Sequence, residues 1–218
     1  MKEVSATQSD RKHKAMVDAA RSLFLKQGYD GTSMEEIAVK AAVSKQTVYK
    51  HFADKKRLFE EIVLATTSQV DRVVGLVAGP LVETLDLKKD LTLLGRQFIA
   101  ALMDPRLLRL RRLIIANADR MPELGRTWYE QGFERVLGTL ATSFAALSKR
   151  RLLSLEDPLL AAHHFVGLLL WIPVNQAMFT GNDEPYTKAE LDRYADAAVN
   201  AFLAAYSARA NVAVKSPR

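Results

Sequence analysis

Apolar residues recur along this chain three and four positions apart, and no segment alternates apolar and polar residues for long, so the pattern predicts helices and no sheet. The most informative stretch is Thr32 to Phe52. Met34, Ile37, Ala38 and Ala41 fall on one face of a first short helix, and Thr32 with Glu35, or Ser33 with Glu36, offers a capping box at its start. A second helix begins at Ser44, whose hydroxyl suits an N-cap, and only Val48 and Phe52 form its apolar side. That leaves Lys45, Gln46, Thr47, Tyr49, Lys50 and His51 pointing elsewhere. A buried helix does not carry so many hydrogen-bonding groups, whereas a helix in the DNA major groove requires them. With only Ala42-Val43 between them, the two helices predict a helix-turn-helix.

Around this motif the same periodicity predicts a polar tail over residues 1 to 9, with Lys2 in it, and a first helix from Asp10 to Gln27 with Ala15, Ala19, Leu23 and Phe24 buried and Gly28 ending it. Asp54 caps a long helix reaching Ala78, stopped by Gly79-Pro80. Further helices are expected at Lys88 to Met103, Arg106 to Arg120, Pro122 to Lys149, Pro158 to Phe179 and Thr187 to Arg209. The expected fold is all-α: an N-terminal three-helix helix-turn-helix domain over residues 1–60, joined by the long helix to a C-terminal helical bundle over 61–218 that dimerises. No Gly/Ser/Pro-rich linker interrupts residues 54 to 78, so the boundary falls inside a helix. Pro158 to Phe179 is apolar almost all round, which predicts burial by the core on one side and by a second subunit on the other. Leu191, Tyr194, Ala195, Ala198, Phe202 and Tyr206 make a stripe on the last helix, and the two helices could form half of a four-helix bundle in a homodimer.

Charge sharpens the picture. Residues 1 to 59 hold 12 Lys and Arg against 7 Asp and Glu, while the remaining residues hold 19 against 18. Nearly all of the net charge of +6 therefore sits with the helix-turn-helix, where a polyanion is the fitting partner. The chain has no Cys, its N-terminus lacks a signal-peptide core, and its longest apolar run, Phe165 to Val174, falls short of the roughly 20 residues a membrane span needs. A cytoplasmic protein with no membrane partner is expected.

The residues from about Arg11 to Ile62, including AARSLFLKQGYDGTSMEEIAVKAAVSKQTVYKHFADKKRLFEEI, resemble the DNA-binding domain of the tetracycline-repressor (TetR) family of bacterial regulators. One departure is Ala42, at a turn position where the family often has Gly. The segment LRRLIIANADRMPELGRTWYEQGFERVL resembles the C-terminal domain of the AefR-like branch. The resemblance implies a homodimer on an inverted-repeat operator in double-stranded DNA and a small-molecule effector in the C-terminal domain. It also implies backbone contacts from the positions of Thr47, Tyr49, His51 and Lys55 and from the helix start at Thr32 and Ser33.

Base reading falls to Gln46, whose amide matches adenine N6/N7, and Lys45, which matches guanine O6/N7. Thr47, Tyr49, Lys50, His51 and Lys55 suit phosphates, and Ser44 caps the helix that carries them. For an apolar or amphipathic effector the candidates are Phe98, Met103, Asn117, Trp128, Phe133, His163, Trp171 and Gln176, competing with an ordinary core role for the aromatic ones. Adjacent His163-His164 diverge by about 100° on a helix, so no metal is expected, and no cofactor motif is present. The basic run Arg106, Arg109, Arg111 and Arg112 is read as a solvated or salt-bridged face before an anion site. The expected function is a transcriptional repressor released from its operator by a ligand. The alternatives are a ligand-independent regulator or activator, or a helical enzyme or carrier with an appended DNA reader.

Overall fold

The computed structural model describes residues 8–208 and, within them, every side chain except those at 69, 71–74, 76 and 77. Positions 1–7 of the expected tail, Lys2 among them, lie outside the described residues, whereas Gln8 and Ser9 already belong to the first helix. Among the described residues ten α-helices follow in order: α1 Gln8–Gln27, α2 Met34–Lys40, α3 Lys45–His51, α4 Lys55–Ala78, α5 Leu87–Leu102, α6 Pro105–Ala116, α7 Pro122–Trp128, α8 Arg135–Lys149, α9 Pro158–Thr180 and α10 Lys188–Tyr206. A 3-10 turn at Gly79–Glu83 follows α4, and the predicted single helix from Pro122 to Lys149 is instead α7 and α8 joined by a π-helical stretch, Tyr129–Glu134. Among the described residues the only extended pairing is an isolated bridge between Leu153 and Ser207.

The helices form two compact units, one made of the chain up to Ser68 with Arg109–Gln131, the other of Gln69–Leu108 with the chain from Gly132 onward. This grouping differs from the division at residue 60 expected from sequence, because α6 and α7 contribute to the first core. Met16, Val17, Ala20 and Phe24 of α1 meet Ile37 of α2, Val48 of α3 and Leu58, Phe59 and Ile62 of α4 there. Leu110, Ile114, Met121 and Leu124 complete it, with Trp128 partly buried against it. Burying each large apolar side chain contributes about 1.5–3 kcal/mol. The exposed ion pairs Arg120–Asp30 and Lys56–Glu123 lie along the same seam and contribute little beside it.

In the second unit α8 packs on α9, and α10 packs on α5 and α9. Phe144, Phe165 and Phe202, from α8, α9 and α10, form its aromatic centre, with ring centroids 5.1–5.6 Å apart. Gly95 lets α5 approach closely, since a Cβ there would lie 3.3 Å from Val199 Cγ2 and 3.4 Å from Leu169 Cδ2. Arg96 then grips Asp196 of α10 through two hydrogen bonds of 2.8 and 2.7 Å.

Helix α9 begins under an Asp157 cap and ends at Gly181, whose φ of 68° serves the left-handed stop. It runs through Pro173 and is long and apolar enough, by length and composition, to cross a membrane. One face is buried through Ala161, Phe165, Leu169 and Ala177, however, and the other presents Leu160, Leu168, Trp171 and Ile172, with Leu159 and Phe179 exposed at the two helix ends. His163, His164 and Gln176 are exposed as well.

Candidate nucleic-acid interface

Both short helices of the motif are held by their caps. Ser33 Oγ accepts the Glu36 amide at 3.1 Å while Glu36 accepts the Ser33 amide at 2.8 Å, which selects the second of the two capping boxes open to the sequence. Helix α2 ends with Ala42 at φ 54°, the Val43 amide donating to the Ala38 carbonyl and the Ala42 amide to that of Val39. This is a Schellman stop made without glycine, and holding a Cβ in the left-handed region costs about 1–2 kcal/mol. Ser44 caps α3, its Oγ accepting the Thr47 amide at 3.1 Å and pairing with Thr47 Oγ1 at 2.8 Å.

Because α3 is only seven residues long, one apolar side is enough to seat it. Val48 is buried, and Phe52 just beyond the helix is buried as well. The remaining positions divide into two groups. Lys45, Gln46, Tyr49 and Lys50 are exposed and lie along one outer face. Thr47 and His51 are half-buried, the His51 ring 5.8 Å from that of His13, which in turn pairs with Glu61. Glu35 of α2 reaches across to Lys45, and the Lys45 ammonium lies 5.7 Å from the Tyr49 ring centroid. The hydrogen bond to Lys45 holds the Glu35 carboxyl below its ordinary range, and the same bond raises the Lys45 ammonium.

Two residues expected at a phosphate point inward. Thr32 is 2% exposed, and its Oγ1 donates to the Gly28 carbonyl at 2.9 Å. Lys55 donates to the carbonyls of Tyr29 and Thr32 at 2.7 and 2.8 Å, with its ammonium 4.3 Å from the Tyr29 ring centroid. Thr32 closes the α1–α2 loop on itself, and Lys55 fixes that loop to the start of α4. They carry the motif rather than extend its outer face, because the loop carbonyls near the chain reversal need donors. Ser33 and Ser44 are spent on their caps.

The eight effector candidates fall in different parts of the fold. Asn117 and Trp128 belong to the first unit, where Asn117 is buried and its Nδ2 donates to the Leu113 carbonyl at 2.8 Å. Phe98 and Met103 are buried in the second unit and Phe133 is half-buried in the π-helical stretch. His163, Trp171 and Gln176 face outward on α9, Trp171 with 73% of its surface exposed. A depression of about 480 Å³ on α5, lined by Asp86, Lys88, Lys89, Thr92, Leu93 and Arg96, contains none of the eight. The basic run also separates: Arg106 is exposed beside Asp104, whereas Arg111 is buried and its guanidinium pushed down to about 10 by desolvation, which leaves it charged at neutral pH.

Sequence reasoning missed Glu35 as a partner of Lys45 and missed the docking of residues 109–131 on the helix-turn-helix. The apolar spacing of Leu110, Ile114, Met121 and Leu124 signals a buried face. Nothing in that spacing says which core receives it.

Comparison with known proteins gives two family matches. Residues 16–62 match the family model described as bacterial regulatory proteins, tetR family, and residues 89–208 match the C-terminal domain of AefR-like transcriptional repressors. The crystal structure of a TetR-family transcriptional regulator from Mesorhizobium loti is 56% identical, with a TM-score of 0.88 over 93% of this chain and all of that one. The flavonoid-responsive regulator FrrA is 30% identical, with a TM-score of 0.72 over 92% of this chain and 99% of its own. Among curated proteins, the negative regulator of the biofilm operon icaADBC in Staphylococcus aureus, IcaR, is 32% identical over 59 residues, 27% of this chain and 32% of that protein. The HTH-type regulator YvkB of Bacillus subtilis is 35% identical over 83 residues, 38% of this chain. The match spans only about two fifths of YvkB and a third of IcaR.

Proposed function

Because this chain belongs to the TetR family of bacterial regulatory proteins, we propose that it is a cytoplasmic, sequence-specific repressor that binds an inverted-repeat operator as a homodimer and releases it when a small ligand binds. The observation that carries the reading is the outer face of α3. Lys45, Gln46, Tyr49 and Lys50 stand exposed on a helix seated by Val48 and the adjoining Phe52, in a motif whose caps and turn are fully formed. A helix of that kind enters a major groove, with Gln46 matched to adenine and Lys45 to guanine, while Tyr49, Lys50 and the half-buried Thr47 and His51 lie near the phosphates. The reading assigns no catalytic step and no metal or cofactor to any residue.

Dimerisation through α9 and α10 accounts for Leu160, Leu168, Trp171 and Ile172 exposed on one face of α9, a patch that a soluble monomer seldom leaves uncovered. Ligand release is supported by the flavonoid-responsive neighbour and by an apolar second unit in which Phe98, Met103 and Phe133 remain the effector candidates. Functionally we divide the chain near residue 60, within α4, with α6 and α7 contributing to the core under the reader. A shift in α6–α7 is then felt by α1 and α4 directly, through shared side-chain contacts. Two recognition helices must match half-sites about 34–36 Å apart, so displacement by a few ångströms breaks one contact set. A coupling of about 1–3 kcal/mol between ligand and operator is typical and sufficient.

The test contrasts base and phosphate contacts. Gln46→Ala and Lys45→Ala are expected to change which duplexes bind best, and Lys50→Ala to weaken all duplexes alike and reduce the salt slope by about one. An unchanged binding profile for all three variants contradicts the assignment.

A further inference from the structure

The Glu35–Lys45 pair is unusual in its placement. Helix α3 has no acidic residue in its first turn, and its first residue is Lys45, a cation at the positive end of a helix dipole. The compensating charge comes from the neighbouring helix. Of the two acids in the first turn of α2, Glu36 is engaged with Ser33 and with Gln27 Nε2 at 3.2 Å, so its carboxylate belongs to its own cap. Glu35 extends instead to the Lys45 ammonium. Both side chains are more than half exposed, at 60% and 52%, so solvent and an incoming polyanion reach the pair freely. The Tyr49 ring lies under the same ammonium, leaving Lys45 positioned between a carboxylate and a phenol on the outer face.

We propose that Glu35 is a specificity-determining residue of the DNA-reading face: it neutralises Lys45 and holds its ammonium where a base edge can still accept from it, so that Lys45 adds to discrimination and little to general phosphate attraction. This rests on the DNA-binding reading of α3 given above. The physical reason is a difference between two kinds of contact. A phosphate gains from any free cation, and each cation committed to a phosphate adds about 0.9 to the slope of log K against log salt. A lysine already paired with a carboxylate brings no net charge to that exchange. Guanine O6 and N7 are neutral acceptors held at a fixed place in the groove, and the Lys45 ammonium can donate to them while remaining beside Glu35. Glu35 therefore weakens binding to arbitrary sequence more than binding to the operator.

The test uses the full-length protein, a mixed-sequence 30-base-pair duplex as the non-specific probe, and as the specific probe the duplex that wild type enriches from a random pool. Affinities are read by fluorescence anisotropy from about 50 to 200 mM salt. Glu35→Gln keeps the shape and removes the charge. It is expected to bind the mixed-sequence duplex roughly fivefold more tightly at the lower salt, to steepen the salt slope there by about 0.9, and to lower the ratio of specific to non-specific affinity. Repeating Glu35→Gln in a Lys45→Met background should erase the change in slope, because the charge being released is that of Lys45. An unchanged slope, or a change that persists without Lys45, overturns the proposal while wild type still binds DNA. If wild type binds no duplex even at low salt, the DNA-binding reading fails and takes this proposal with it. Far-UV circular dichroism melting separates all of these from a folding defect.

Discussion

At the scale of single residues, the informative positions are those where local chemistry is at odds with local preference. Ala42 holds φ 54° to close the turn between α2 and α3, a conformation glycine adopts freely. Relief of about 1–2 kcal/mol is offset by the extra freedom glycine brings to the unfolded chain, about 0.5–1 kcal/mol, so Ala42→Gly should stabilise the protein by roughly 0.5 kcal/mol in urea unfolding. A destabilised variant would mean that the Ala42 methyl makes a contact worth more than the strain. Lys55 gives the opposite case. Its two hydrogen bonds to the Tyr29 and Thr32 carbonyls tie residues 23 and 26 positions apart, and Lys55→Met should cost about 1–2 kcal/mol, since bonds from charged groups contribute about 1.5–3 kcal/mol before solvent screening. If Lys55 instead served only a phosphate, stability would be unchanged and DNA affinity alone would fall. The position of Ala42 was legible beforehand, because turn geometry is a local matter. The inward roles of Thr32 and Lys55 were not, since their partners are carbonyls, which every residue carries and no sequence distinguishes.

At the scale of elements, the helices follow from apolar spacing and end where caps, glycines and prolines put them. Ser33, Ser44, Asp157 and Thr187 all accept amides of the first turn, as their residue types suggest. The exception is Pro122 to Lys149, expected as one helix and found as α7, a π-helical stretch and α8. A widened turn inserts its extra residue without a proline and keeps the chain helical, so periodicity passes over it. In the second unit the aromatic trio makes a specific claim about packing. Phe165 is fully buried with edge-on contacts to Phe144 and Phe202, and Phe165→Ala should cost about 3–5 kcal/mol of unfolding free energy. A cost below about 1 kcal/mol would mean that α9 is not anchored at that point.

For the whole molecule, the two faces of α9 set the expected assembly. A helix with Phe165 and Leu169 sealed on one side and Leu168, Trp171 and Ile172 open on the other needs a second surface. Leu168→Glu combined with Trp171→Glu should convert a dimer to a folded monomer in sedimentation velocity, with operator affinity falling at least tenfold as one half-site is lost. A dimer that survives both charges places the interface elsewhere. The all-round apolar character of this helix was visible in the sequence, because it needs no knowledge of neighbours. A place for the proposed effector was not. Its eight candidates were chosen by residue type, and folding distributes them between two units and an outer surface, because convergence of side chains from several helices leaves no trace in spacing along one chain.

The central claim is that the outer face of α3 reads DNA sequence, and selection of bound duplexes from a random library between about 50 and 200 mM salt tests it most directly. Wild-type protein is expected to enrich an inverted repeat with half-sites one helical turn apart, and the Lys45→Ala/Gln46→Ala protein to lose or change that repeat while remaining folded. Enrichment of the same repeat by both proteins, or of none by a folded wild type, would contradict the account.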